Sequence, residues 1–330
     1  MSKPIHSFPQ LNIFFFLFLN FFSVSGCHQD SKEEDSFQGI WWGKATISPF
    51  GARAGHTTVV HEDKIFLMGG FTLEENQAVA LNDVWVSENG INWGQLLADA
   101  PWAPRANHCS VVFAGRIYVI GGNEDTEYYG DVWSTADGIN WTLDSTPFSD
   151  RMGMECLVFE NKIWVMGGVD YSGIAEIWNS ADGLNWLKQP DPPWEGRAHF
   201  SLDLFKNQII LTGGNVYSSK TFNDVWRSTD GISWELLSES LPVEYLYGHR
   251  TVVEGNKIWI SGGNGAMDQL LVYEEGQWHK IHMESPFSAR AYHTMLIFKD
   301  KIWLQGGTFS DEMTLNLRDD IWFSGPGLNQ

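Results

Sequence analysis

Six times along the chain, a short apolar run climbs into a pair of glycines. The pairs are Gly69-Gly70, Gly121-Gly122, Gly167-Gly168, Gly213-Gly214, Gly262-Gly263 and Gly306-Gly307, spaced 44 to 52 residues apart. The preceding runs, such as Lys64-Ile65-Phe66-Leu67-Met68 and Arg116-Ile117-Tyr118-Val119-Ile120, are short, rich in aliphatic and aromatic residues and bounded by turn formers. That pattern predicts strands. Sixteen residues before the first glycine stand Arg53, Arg105, Arg151, Arg197 and Arg290, with Leu246 in the remaining copy. Downstream, Trp85, Trp133, Trp178, Trp226 and Trp322 each open a further strand, and Trp93, Trp141, Trp186 and Trp234 follow four of them eight residues later. The eight-residue step holds Asn89-Gly90, Asp137-Gly138, Asp182-Gly183 or Asp230-Gly231. Such dipeptides supply the positive φ of a tight hairpin turn. Each unit therefore predicts four antiparallel strands, a to d, with strand b ending at Gly-Gly. Helical periodicity is absent.

Four-stranded units in tandem bury both faces of each sheet most readily as a radial propeller, which leaves only short edges. The sixth unit stops after Trp322 without a fourth strand, while Trp42 precedes Arg53 by the same 11 residues that separate Trp186 from Arg197. The segment Ile40-Trp41-Trp42 is therefore expected to supply the outer strand of the last blade and close the ring. The opening Arg, the aliphatic run into Gly-Gly and the paired Trp resemble the kelch-repeat β-propellers and the galactose-oxidase-like central domain. The resemblance spans the chain after residue 38 and implies an all-β, six-bladed kelch-type propeller over residues 39–330. It does not select a function, because the same fold hosts binding modules, adaptors and enzymes.

The N-terminus has a different character. Met1 to Gly26 contains one charge, Lys3, and the apolar run Ile13 to Leu19, resumed by Phe21-Phe22. This is too short for a stable membrane span and suits a signal-peptide core. It ends in Val24-Ser25-Gly26-Cys27, which resembles the lipobox of bacterial lipoproteins. The resemblance implies a signal peptide over residues 1–26, lipidation at Cys27 and an address in the cell envelope, on the outer membrane, facing the periplasm or the cell surface. The polar, acidic segment 27–38 then reads as a solvated tether.

Composition narrows the function classes. Among 330 residues the formal net charge is −20, with 21 Lys and Arg against 41 Asp and Glu. Wrapping nucleic acid needs clustered cations, so that class is excluded. The three cysteines neither staple a fold of this size nor show zinc spacing. Cys109 and Cys156 lie one residue apart in repeat register, so opposite strand faces are expected and a disulfide between them is not.

The repeats themselves sort scaffold from site, since residues present in most blades build the blade. The Arg residues, including Arg105, Arg197 and Arg290, either form a cationic ring at the channel mouth or satisfy carbonyls between blades. Three residues after the Arg position come His56, His108, Met154, Phe200, His249 and His293. Met and Phe share that slot, so it is a packing position rather than a metal ring, and neither metal nor cofactor is expected. The irregular slots are richer in chemistry. Asn107, Glu155, His199, Arg250 and Tyr292 fall on or near the innermost strand, and Tyr247 replaces the Ala found in four other blades. A carboxylate, an imidazole and a guanidinium in one funnel either bind a polar ligand and move protons, or include a structural Glu155–Arg250 pair. The loops bearing Asn123 to Tyr129, Asp170-Tyr171 and Asn215-Val216-Tyr217 suit recognition of a sugar or a protein.

The segment Arg290-Ala291-Tyr292-His293-Thr294 resembles the copper-binding segment of galactose oxidase, but neither Cys109 nor Cys156 matches that family's crosslinked Cys position. The expectation is a monomeric, lipid-anchored binding module for a glycan or protein ligand, contacting the membrane only through Cys27. Arg105, Asn107, Arg197, His199, Tyr247, Arg250, Arg290 and Tyr292 are its candidate ligand contacts. The alternative is a cofactor-free sugar mutarotase resembling the kelch-type N-acetylneuraminate mutarotases, with Glu155, His199 and Arg250 as acid–base groups.

Overall fold

The computed structural model describes residues 42–325 apart from 145–147, 171, 217–218, 265–269, 282–286 and 312–313. The proposed leader, Cys27, the tether, Ile40-Trp41, Tyr171 and Tyr217 lie outside the described residues. Among those described, every regular element is a strand. Six four-stranded antiparallel sheets follow one another, their innermost strands being Thr57–His61, Cys109–Phe113, Glu155–Phe159, Ser201–Phe205, Arg250–Glu254 and Thr294–Phe298. Each innermost strand lies against that of the next blade, and the sixth lies against the first. The architecture is a six-bladed β-propeller.

Blades 1 to 5 are continuous in sequence. Blade 6 combines Thr294–Phe298, Lys301–Gln305 and Asp320–Ser324 with Trp42–Ile47, which runs antiparallel along the outer edge of Asp320–Ser324. Trp42 is buried and meets Phe287 edge to face at 5.0 Å. The second Trp of blades 1 to 4 does the same, as in Trp141 on Trp102 and Trp234 on Trp194, both at 5.9 Å. The first and last described strands therefore share one sheet, and Trp42 and Trp322 both meet Phe287.

The Gly-Gly pairs have a steric cause, seen at Gly213-Gly214. Both adopt positive φ, at 60° and 106°. A Cβ on Gly213 would stand 2.2 Å from the Leu246 carbonyl oxygen of the next blade, and one on Gly214 would stand 2.9 Å from Cβ of Phe200. The slot that sequence places three residues after the Arg position explains the first glycine throughout. His249 lies over Gly213, Met154 over Gly121, Phe200 over Gly167 and His293 over Gly262, each reaching from the following blade. Shape at a blade boundary, not metal chemistry, unites His, Met and Phe there.

The hairpins between strands c and d are built by side-chain oxygens. Asp137 Oδ1 accepts the backbone N–H groups of Ile139 and Asn140 at 2.8 Å, and Thr135 Oγ1 accepts that of Gly138. Hydrogen bonds from Asn140 and Ile139 hold the Asp137 carboxyl far below the usual range. Gly138 in turn packs on Phe66 of the preceding blade.

Gly213→Ala is expected to cost more than about 2 kcal/mol in chemical denaturation, because left-handed strain adds to a backbone clash that no rotamer change relieves.

Candidate functional site

Two of the candidate groups separate at once. Arg105, Arg197 and Arg290 are buried within their blades rather than open at the channel mouth. Arg197 Nη1 donates to the Gly213 carbonyl at 2.9 Å and to Asp224 Oδ1 at 2.5 Å, while Nη2 donates to Asp224 Oδ2. Its guanidinium lies 3.9 Å over the Phe222 ring. Arg105 makes the same bonds to Gly121 and Asp131, and Arg290 to Gly306 and Asp320. A Trp indole N–H donates to the second oxygen of each carboxylate, as Trp226 does to Asp224 at 2.8 Å. These units stitch strands b and c to the chain entering strand a, and each guanidinium is committed to a glycine carbonyl and a carboxylate within its own blade. The acidic partner was legible as a recurring Asp-x-Trp or Glu-x-Trp ahead of strand c, which the sequence reading passed over. Blade 5 dispenses with the unit, burying Leu246 against Ile260 and Leu271 instead.

The other candidates gather at the axis. Two residues after the Arg position stand Gly55, Asn107, Gly153, His199, Gly248 and Tyr292, every one at positive φ between 53° and 66°. Each N–H donates to the carbonyl of its counterpart in the preceding blade, at 2.7 to 2.9 Å, and the Gly55 to Tyr292 bond completes a ring of six. Glycine and a larger residue alternate around it. The Asn107 side chain leans over Gly55, His199 over Gly153 and Tyr292 over Gly248. Three polar side chains thus cap one end of the axis in the space three glycines leave.

The cap is neutral. His199 Nδ1 is 3.0 Å from Asn215 Oδ1, while its Nε2 is buried with no partner among the described residues. Burial lowers the His199 pKa to about 4, and the charge of Arg250 adds to that, so the imidazole is neutral at pH 7. With the Nδ1 proton directed at Asn215, Nε2 presents a lone pair. The His199 ring meets Tyr292 edge to face at 5.1 Å. Burial pushes the Tyr292 phenol well up, which keeps it a donor. Tyr247 stands alongside and accepts a hydrogen bond from Asn264 Nδ2.

Beneath the cap runs an axial cavity of about 380 Å³, lined by the innermost strands of all six blades. Arg250 of blade 5 reaches Glu155 of blade 3 there, with Nη1 2.5 Å from Oε1. Burial raises the Glu155 pKa even though Arg250 opposes it. Hydroxyls line much of the rest, with Thr57 and Ser110 paired at 2.6 Å and Ser201 and Thr251 at 2.7 Å. The structure therefore unites Glu155 with Arg250 but holds His199 on Asn215 in the layer above. Glu155, His199 and Arg250 form two separate constellations rather than one acid–base set.

Asp203 is the residue that the sequence reading missed. Its place is aliphatic in the other five blades, namely Val59, Val111, Leu157, Val252 and Leu296. The lone departure was the available signal. Thr251 Oγ1 donates to Asp203 Oδ2 at 2.9 Å, inside the cavity. Burial, joined by the charge of Glu155, raises its pKa to about 6 against that hydrogen bond.

The sign of the linkage is set by that rise. The folded state favours protonated Asp203, so between about pH 4 and pH 6 the unfolded chain ionises first and stability falls. Asp203→Asn is expected to melt above the unsubstituted protein at pH 8 and together with it below about pH 4. Thermal melts across that range check this.

Comparison with known proteins agrees with this geometry. Residues 50–189 match the model of a family described as the DUF6242 beta propeller domain. Kelch domain-containing protein 1 of Mus musculus is 25% identical over 287 residues, covering 80% of this chain and 65% of that protein. The dynein alpha chain of the flagellar outer arm of Chlamydomonas reinhardtii is 25% identical over 198 residues, 57% of this chain and 3% of that protein. The Drosophila melanogaster leucine-zipper-like transcriptional regulator 1 homolog is 24% identical over 300 residues, 79% of this chain and 30% of that protein. The chain thus spans about two thirds, or far less, of the curated relatives it matches. With the Gly-Gly repeats, the buried Arg–carboxylate–Trp units and the six sheets, the chain is a six-bladed β-propeller whose repeats are similar to those of kelch proteins.

Proposed function

We propose that the protein is a lipid-anchored, extracytoplasmic binding module whose ligand, a glycan or a protein partner, docks on the axial cap formed by Asn107, His199 and Tyr292. Left-handed backbone at non-glycine residues clusters at ligand clamps, where the surrounding fold over-determines a strained conformation. One observation carries the reading above the others: His199 Nε2 is enclosed at the cap with no partner among the described residues, and its ring meets the Tyr292 phenol ring. A neutral acceptor, a protonated hydroxyl and an amide suit sugar hydroxyls or peptide amides better than an anion. Kelch propellers generally serve as interaction modules, which favours binding over turnover. Hairpins extending strands b and c beyond Gly-Gly in blades 1, 2 and 4, with Thr308–Asp311 and Thr314–Leu317 in blade 6, rise from the same end. They offer a variable rim to a partner.

The mutarotase alternative asks Glu155, His199 and Arg250 to work on one sugar. The Glu155–Arg250 pair and the Asn215-held His199 favour positioning over proton transfer.

Screening the full-length protein against a glycan array and envelope protein fractions identifies the ligand class. For the ligand found, His199→Ala and Tyr292→Ala are each expected to weaken binding about tenfold, or about 1.4 kcal/mol. Unchanged affinity in both variants overturns the cap as the site. One-dimensional NMR of free N-acetylneuraminate is expected to show no faster anomer exchange with the protein than without it. For the anchor, Cys27→Ser is expected to abolish palmitate labelling and release the protein from the membrane fraction.

A further inference from the structure

Adjacent blades meet face to face around the axis, and one contact recurs. The fourth residue after the Arg position of one blade meets the fifth residue of the next. Between blades 1 and 2 this pairs Thr57 with Ser110, and between blades 4 and 5 it pairs Ser201 with Thr251, their oxygens 2.6 and 2.7 Å apart. Between blades 2 and 3 the same two places hold Cys109 and Cys156. Their thiols stand within hydrogen-bonding reach, and both side chains pack in one cluster at that boundary. The parity argument from sequence, which set them on opposite faces, is corrected here: both line the axial cavity.

We propose that Cys109 and Cys156 are a redox pair that closes into a reversible disulfide, stapling blade 2 to blade 3 beside the axial cavity. The equivalent hydroxyl pairs touch at 2.6 and 2.7 Å, so side-chain tips in this register meet across a blade boundary, as a disulfide requires. Both thiols are free in this structure. Their surroundings differ, which assigns an order to the chemistry. Cys156 is half-buried on the cavity wall, whereas Cys109 is 3% exposed and burial pushes its thiol up. Cys156, as thiolate, attacks one sulfur of an external disulfide, RSSR, and expels RS⁻. Cys109 then loses its proton and attacks Sγ of Cys156, expelling the second RS⁻. Two protein thiols give up two electrons and two protons, and one RSSR becomes two RSH. The oxidant is a small-molecule disulfide or a disulfide-carrying exchange protein. The bridge ties the strand entered from Asn107 of the cap to the strand that carries Glu155.

Oxidised glutathione is the probe. The folded, full-length protein is incubated with it, alkylated with N-ethylmaleimide, digested with trypsin and mapped by mass spectrometry. The expected result is a Cys109–Cys156 linked peptide pair within one chain, two hydrogens lighter than its free parts and reversed by dithiothreitol. Cys109→Ser is expected to fold, since serine restores the hydroxyl-type contact of the neighbouring boundaries, and to stop at a glutathione adduct on Cys156. Cys156→Ser is expected to leave Cys109 unmodified. Full alkylation of both cysteines after oxidation, or a glutathione adduct persisting on Cys156 while Cys109 stays free, overturns the proposal.

Discussion

Six backbone hydrogen bonds around the axis set the terms for everything else. Each joins an N–H to the carbonyl of the preceding blade, and each requires left-handed backbone at the residue that makes it. Because the bonds form a closed cycle, no blade can rotate or slide without breaking two of them. A second set runs outside the first, from the second glycine of each pair to the residue at the Arg position of the next blade, as from Gly214 to Leu246 at 2.7 Å. Buried backbone groups are costly to leave unpaired, so both sets fix the inter-blade distance more sharply than apolar packing alone. The glycine pairs, the slot residues and the alternation of small and large side chains at the cap are consequences of that spacing.

The Arg–carboxylate–Trp units solve a different problem, inside each blade. A guanidinium that caps a glycine carbonyl and grips a carboxylate with both arms brings the loop from strand d to lie over strands b and c. Blade 5 shows what the unit is for by omitting it. Leu246 and Leu271 fill the volume with carbon, and the blade keeps its four strands. A buried ion pair exchanged whole for well-packed apolar residues need not destabilise, whereas losing one partner strands a charge.

Much of the fold was legible because a repeat reports its own constraints. Gly-Gly, the Trp pairs and the Asx-Gly turns recur six, five or four times, and each recurrence has a steric or hydrogen-bonding cause in the structure. The candidate site was legible only where a slot broke its own rule, at Asn107, His199 and Tyr292, and the same test overlooked Asp203 in an aliphatic series. The sequence nominates Arg105, Arg197 and Arg290 as contacts although they are buried, because charge in a sequence carries no sign of burial. The cysteines misled for a geometric reason. Alternation of faces holds within one sheet, but sheets stacked face to face bring opposite parities into contact, so Cys109 and Cys156 meet because they are one residue out of register.

The ring at the cap has an electrostatic corollary. Its peptide dipoles follow one another tangentially, each pointing toward its neighbour, and around a closed circle such vectors cancel. A helix N-terminus aimed at a ligand projects a partial positive charge along its length. The ring of peptide dipoles projects none, and the guanidiniums of Arg105, Arg197 and Arg290 are each paired with a carboxylate. On the proposed function, a guest arriving on the axis would be sorted by shape and by individual hydrogen bonds to Asn107, His199 and Tyr292 rather than drawn in by field.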